Sequence, residues 1–245
     1  MRAFHSYFVC GPEPQLFEVL MQAASILSWK KFMGPIDFLG DFESINLLMK
    51  YRLYGLYDQV ITLEPNSEGI LTSTFWAYGK FEAMRKFASL YPRIPILSID
   101  TDLVLKRPIS IPRSDIIGLH YDNPNFYPVI VSRLKSELEG WDLSPPAVNA
   151  GILVFRNHKF FHDYYLSTRV IMESLSKDPS PDSASMIFTE QKWVSVLAKR
   201  LNCSLKVLEK VDARTKYHVD SPNLMHIWDY KRIMKNDPSV RIPFI

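Results

Sequence analysis

Apolar positions in the first hundred residues switch repeatedly between two periods. Residues 3–9 (AFHSYFV) are strand-like and rich in aromatics, which predicts a strand. Over 14–33, Leu16, Leu20, Ala23, Ala24 and Leu27 recur at helical spacing, with Pro14 suited to the first turn and Gly34-Pro35 as the stop. IDFL gives a second short strand. ESINLLMKYRLYG reads as a helix ending near Gly55, taken as a left-handed cap. QVITL (59–63) is the third strand. FWAYGKFEAMRKFASLY is the third helix, with Ser73 or Thr74 as its cap, and IPILSI is the fourth strand.

This strand–helix alternation predicts a mainly parallel, Rossmann-type α/β sheet with helices on both faces. The second half is less regular. DIIGLH and VNAGILVF (148–155) read as strands, and 158–177 and 185–201 as helices separated by a breaker run. LKVL and NLMHIW read as short strands. Residues 121–147 hold four prolines (Pro124, Pro128, Pro145, Pro146) and predict a loop-rich insertion. No linker divides the chain, so 1–245 is expected to be a single domain, with a nucleotide-binding half (1–105) and an acceptor- and sugar-binding half (106–245).

Charge and composition narrow the function only by exclusion. With 47% hydrophobic and 22% charged residues the chain is globular. A net charge of +3 without a basic stripe gives no footprint for nucleic acid. Cys10 and Cys203 are too few and too far apart for a zinc knuckle or a disulfide framework, and read as buried thiols of a reducing compartment. No run of about 18 apolar residues is present, and the opening residues read as a strand rather than a signal peptide. A cytoplasmic protein is expected, with peripheral contact at the inner face of a membrane left open.

The candidate chemistry lies in ILSIDTDLVL (96–105), where an apolar strand ends in Asp100-Thr101-Asp102. Ligands bind beyond the carboxyl ends of parallel strands. Alternate side chains of an extended segment point the same way, so the two acids can converge. Paired carboxylates suit a hard divalent cation, Mn²⁺ or Mg²⁺, that also takes phosphate oxygens. A turn is the plain alternative for Asp-x-Asp.

SIDTDLVL, preceded by the βαβα run and followed about 50 residues later by VNAGILVF, resembles glycosyltransferases of the GT-A fold, most of all family 8 and related bacterial retaining enzymes. The resemblance spans roughly residues 3–232 and implies a GT-A-like fold and transfer from a nucleotide-sugar, a UDP-sugar above all, to a glycan or glycolipid acceptor with retention. It implies that Asp100, Asp102 and His226 hold the metal. Asp100, Thr101, Tyr7, Lys80, Asn149 and Lys231 would contact the nucleotide-sugar, and Gln191 or Glu190 would sit beside the anomeric carbon. His5, Ser6 and Tyr7 occupy the strand where such a fold holds the base. The family's Gly after its late His is absent here, so Lys231 or Arg232, with Asp229 nearby, is left for the diphosphate.

Each residue also has a plainer reading: Lys80 as a solvated helix lysine, Asn149 as a turn residue, Glu190-Gln191 as a first helical turn, Tyr7 as core. Two other functions fit parts of the pattern. One is a non-catalytic nucleotide-sugar or glycan binder on the same fold. The other is a haloacid-dehalogenase-like phosphatase, whose Asp-x-Asp string IDTDLV matches but whose motif usually follows the first strand.

Overall fold

The computed structural model describes residues 1–8, 13–122, 134, 138–177, 183–210, 219–227, 234 and 237. The first half follows the expected β-α-β-α-β-α-β order: β1 (Ala3–Tyr7), α1 (Leu16–Phe32), β2 (Ile36–Gly40), α2 (Phe42–Lys50), β3 (Val60–Thr62), α3 (Tyr78–Leu90) and β4 (Ile96–Ile99). Then come β5 (Leu103–Leu105), β6 (Ile116–Gly118), β7 (Ile152–Phe155), α4 (His158–Leu175), α5 (Ser183–Ile187), α6 (Trp193–Arg200), β8 (Leu205–Val207), β9 (Val219–Asp220) and β10 (Leu224–His226).

Seven strands form one sheet in the order β3-β2-β1-β4-β7-β6-β8. Only β7 runs antiparallel to its neighbours; the other pairings in this sheet are parallel. The sheet is buried on both faces, which is why its central strands read as nearly continuous apolar runs. Phe4, Ile96, Leu153 and Phe155 point to a core shared with α3, α4 and α6. Ala3, Leu97, Ile99 and Val154 point to the opposite core, under α1 and α2. The period-2 geometry of a strand sorts them this way.

A small second sheet, β5-β10-β9, is antiparallel. Its two outer strands lie far apart in sequence, and it ties the last described strand to the segment immediately after the Asp pair.

Local details differ from expectation in three places. Gly55 does not cap α2; the left-handed residue after that helix is Arg52, at φ 59°, and Tyr54–Leu56 is a 3₁₀ turn. Helix α3 starts three residues later than FWAYGKF suggests, with Ala77 rather than Ser73 or Thr74 at its N-cap. The 185–201 helix is broken at Phe188–Lys192 into a π-helical turn between α5 and α6. The Gly34 stop holds, with φ 123° after α1; Asp41 and Asn157, which the sequence reading did not single out, cap α2 and α4 by accepting from Ser44 N and Phe160 N. Cys203 is a free thiol, but half-buried rather than buried, and Cys10 lies outside the described residues.

Candidate active site

Strand β4 ends at Ile99, and Asp100 begins a tight turn into β5. Antiparallel pairing sets His226 of β10 opposite Leu103, one residue past Asp102. The chain then continues by a hydrogen bond from Ile227 N to Asp102 O. His226 is therefore placed by main-chain register, not by its own side chain. Its Nε2 lies 3.4 Å from Asp102 Oδ1 and 3.7 Å from Asp100 Oδ2.

One ligand atom from each of these three residues falls within 4.8 Å of the others. Two ligands about 2.1 Å from a shared ion lie about 3 Å apart at a right angle and about 4 Å apart across it. The spacing and the donor set, two carboxylates and an imidazole, fit Mn²⁺ or Mg²⁺. Gly151 makes the arrangement possible. A Cβ there would stand 2.5 Å from His226 Cε1 and 2.8 Å from its Nε2. The glycine of Asn149-Ala150-Gly151 is thus needed for close approach of the ring, a role that sequence did not assign to it.

Lys80 is not a solvated lysine. It is buried on the first turn of α3, and its Nζ donates to Asp100 Oδ1 at 2.7 Å and to Ala150 O at 2.8 Å, and pairs with Glu190 Oε1 at 2.8 Å. Three acceptors match the three N–H donors of an ammonium. Burial works against its charge, but Asp100 and Glu190 outweigh that and hold Lys80 well above the usual lysine range. For Asp100, burial is likewise outweighed, by Lys80 and His226, and its carboxyl is held below the usual range. Burial raises Glu190, Lys80 only partly opposes this, and Asp100 adds to the rise. Burial alone would lower His226; Asp102 and Asp100 overturn that and bring it to about 9.

Glu190 reaches Lys80 because it sits in the π-helical turn, a geometry that often marks functional positions. The Tyr164 hydroxyl donates to Glu190 O at 2.7 Å and fixes the turn from α4. The expected first turn of a helix is therefore a widened turn inside a helical run. Gln191 accepts from Val148 N through its backbone carbonyl, and its side-chain Oε1 is buried with no hydrogen-bond partner among the described residues. Asn149 is buried, and its Oδ1 accepts from Gly151 N at 2.9 Å. That bond is a turn role, and it shapes the segment on which His226 rests.

A cavity of about 230 Å³ opens on this cluster, lined by Ser6, Tyr7, Trp76, Lys80, Asp100, Thr101, Asp102 and Glu190 among others. Gln191 and Asn149 are not among its lining residues. A narrower cavity of about 80 Å³ lies on the other side of Tyr7 and Asp102, between α1 and α2, with Gln22, Ser44 and Tyr51 in its wall. Tyr7, at the carboxyl end of β1, is half-buried: it packs against the core under α1 and α2 and also lines both cavities. His5, two residues earlier, faces inward. Its Nδ1 meets Tyr57 Oη at 2.9 Å and its Nε2 meets Ser25 Oγ at 3.0 Å, so it takes no part in the cleft. Lys231, Arg232 and Asp229 lie outside the described residues.

No family profile and no curated protein matches the chain. Solved structures do align with it. Mouse xyloside xylosyltransferase 1, in its apo form, covers 85% of this chain and 85% of its own, with 12% identity and a TM-score of 0.48. Galactosyltransferase LgtC, in complex with donor and acceptor sugar analogs, covers 78% and 71%, with 10% identity and a TM-score of 0.46. The PaToxG glycosyltransferase covers 82% and 69%, with 9% identity and a TM-score of 0.46. All three carry glycosyltransferase names, and their likeness to this chain is one of chain path at 12% identity or less.

Proposed function

We propose that the protein is a metal-dependent glycosyltransferase that moves a sugar from a UDP-sugar to a glycan or glycolipid acceptor with retention at the anomeric carbon. The observation that carries this reading is the cluster of Asp100, Asp102 and His226 beside the buried Lys80–Glu190 pair, at the mouth of a cavity beyond the carboxyl end of β4. The chain works as one domain, with the nucleotide held by residues 1–105 and the sugar and acceptor by 106–245.

Asp100, Asp102 and His226 hold Mn²⁺ or Mg²⁺, which when bound neutralises charge on the departing diphosphate. Tyr7 and Thr101 border the nucleotide. Lys80 holds Asp100 and Glu190 at a fixed separation. Because its three donors are already engaged, it meets a donor phosphate only by releasing one of those acceptors. Lys231 or Arg232 is left to meet the diphosphate directly. Glu190, on the cavity wall, places negative charge where the anomeric carbon becomes positive as the sugar–phosphate bond breaks. Gln191 and Asn149 support the sugar site from behind the wall.

The Asp pair ends the fourth strand of the chain rather than the first, which favours this reading over a haloacid-dehalogenase-like phosphatase. Among the described residues no helix is long and apolar enough to cross a membrane, which is compatible with action at a membrane surface or away from one. The test is a panel of UDP-sugars with Mn²⁺ and a mixed glycan acceptor pool. UDP release is followed by assay, and the product's anomeric configuration is read by proton NMR. Metal-dependent UDP release with a retained anomer is expected. Metal-dependent UDP binding without turnover of any donor would instead identify a non-catalytic binder.

A further inference from the structure

A second groove, of about 300 Å³, adjoins the cleft on the side of β2 and α3 and shares Phe8 and Trp76 with it. Its wall also carries Asp41, Ser67, Thr72 and Ser73. Trp76 is 43% exposed, unusual for so large an apolar ring. Phe8 is seated by a specific device. A Cβ on Gly79 would stand 2.0 Å from the Phe8 ring, so the ring lies directly against the α3 backbone. Gly79 lies in the first turn of α3. Here it lets an aromatic face sit between the two cavities. The Asp41 carboxylate is positioned by its cap hydrogen bond from Ser44 N at 2.7 Å.

We propose that this groove binds uncharged sugar rings of the acceptor glycan, stacked on Trp76 and Phe8 and hydrogen-bonded by Asp41 and the hydroxyls of Ser67, Thr72 and Ser73. Aromatic faces suit the apolar face of a pyranose, and a carboxylate with hydroxyls suits its O–H groups. No basic side chain is among the described residues that line the groove, so phosphate or uronate groups are disfavoured and the rings are neutral. Continuity with the cleft through the shared rings brings such an acceptor alongside Lys80, Asp100 and Glu190. The inference rests on the glycosyltransferase reading for its purpose, but not for its test.

The full chain is titrated with lactose, maltose and cellobiose, with binding followed by saturation-transfer NMR, and separately with UDP plus Mn²⁺ by calorimetry. Ser73→Arg fills the groove from an exposed position that does not line the metal-bearing cleft, and circular dichroism verifies its fold. At least one disaccharide is expected to bind. Ser73→Arg should abolish that binding and leave UDP affinity unchanged. Trp76→Ala should weaken it by about 3- to 10-fold, the value of one aromatic contact. Disaccharide binding indifferent to both variants, or no binding of any of the three, overturns the proposal, as does loss of UDP affinity in Ser73→Arg, which would give the groove to the nucleotide. Failure of UDP to bind the wild-type protein counts against the donor reading alone, since disaccharide binding is read without it.

Discussion

Three histidines are buried among the described residues, and two of them, His5 and His226, are set to opposite states by their surroundings. His5 hydrogen-bonds the hydroxyls of Tyr57 and Ser25, and Tyr57 accepts in turn from Gln22. Burial brings the pKa of His5 down to about 3, because the charges of Asp100 and Asp102, not in contact with it, only partly oppose the loss of solvent. His226 is as deeply buried, yet two carboxylates face it and its pKa rises to about 9. Burial with the acids out of contact leaves a neutral core histidine; burial directly against the same acids makes a cation site that a proton fills when no metal does. The first arrangement holds α1 to the sheet. The second is chemically poised.

The comparison breaks most severely at Lys80. Lys80→Met leaves Asp100 and Glu190 without their shared cation, and should cost about 3–5 kcal/mol of stability in urea denaturation. That loss should shrink at acid pH, where Glu190 takes up a proton.

Acid should next separate the two histidines. The folded pKa of His5 lies below its unfolded value of about 6.5. The unfolded chain therefore binds the extra proton first, and stability falls as pH drops from about 6.5 towards 3. By pH 5 this amounts to about 2 kcal/mol. His226 has the opposite sign in the metal-free protein. Its contribution is fully present below about 6.5 and is lost as pH rises towards 9. Urea midpoints for wild type and His5→Gln between pH 5 and 7 isolate the first effect. A slope unchanged by the substitution would remove His5 as its source.

Gly151→Ala should cost about 1–3 kcal/mol through overpacking against the His226 ring. It should also lower Mn²⁺ affinity, measured by calorimetry, because the ring must shift. Tyr57→Phe, on the His5 side, should cost about 1 kcal/mol for its lost hydroxyl contacts and leave Mn²⁺ affinity as it was.

What sequence could reveal follows the same division. The βαβ order, the apolar run of β4 and the Asp pair at its end are local patterns, and local periodicity found them. The direction of β7 was not legible, since ILVF looks the same buried in either orientation. Neither was the contact between Lys80 and Glu190, which joins α3 to a π-helical turn more than a hundred residues later. Nothing local in FTEQK announces a widened turn. His226 was suspected from its family pattern, but the pairing of β10 with β5 that delivers it is a long-range register. Gly151 was noted only as part of a motif; its need became visible only with the His226 ring against it.

The central claim is that Asp100, Asp102 and His226 join a divalent cation to a nucleotide diphosphate. Calorimetric titration of UDP into the protein, with and without Mn²⁺ and alongside Asp102→Ala, tests it most directly. Outer partners of metal ligands are typically worth about 10- to 100-fold in affinity, and a ligand itself more. UDP binding that requires Mn²⁺ and falls at least 100-fold in the folded variant is the predicted result. UDP binding of equal strength without Mn²⁺, or unaffected by Asp102→Ala, would contradict it.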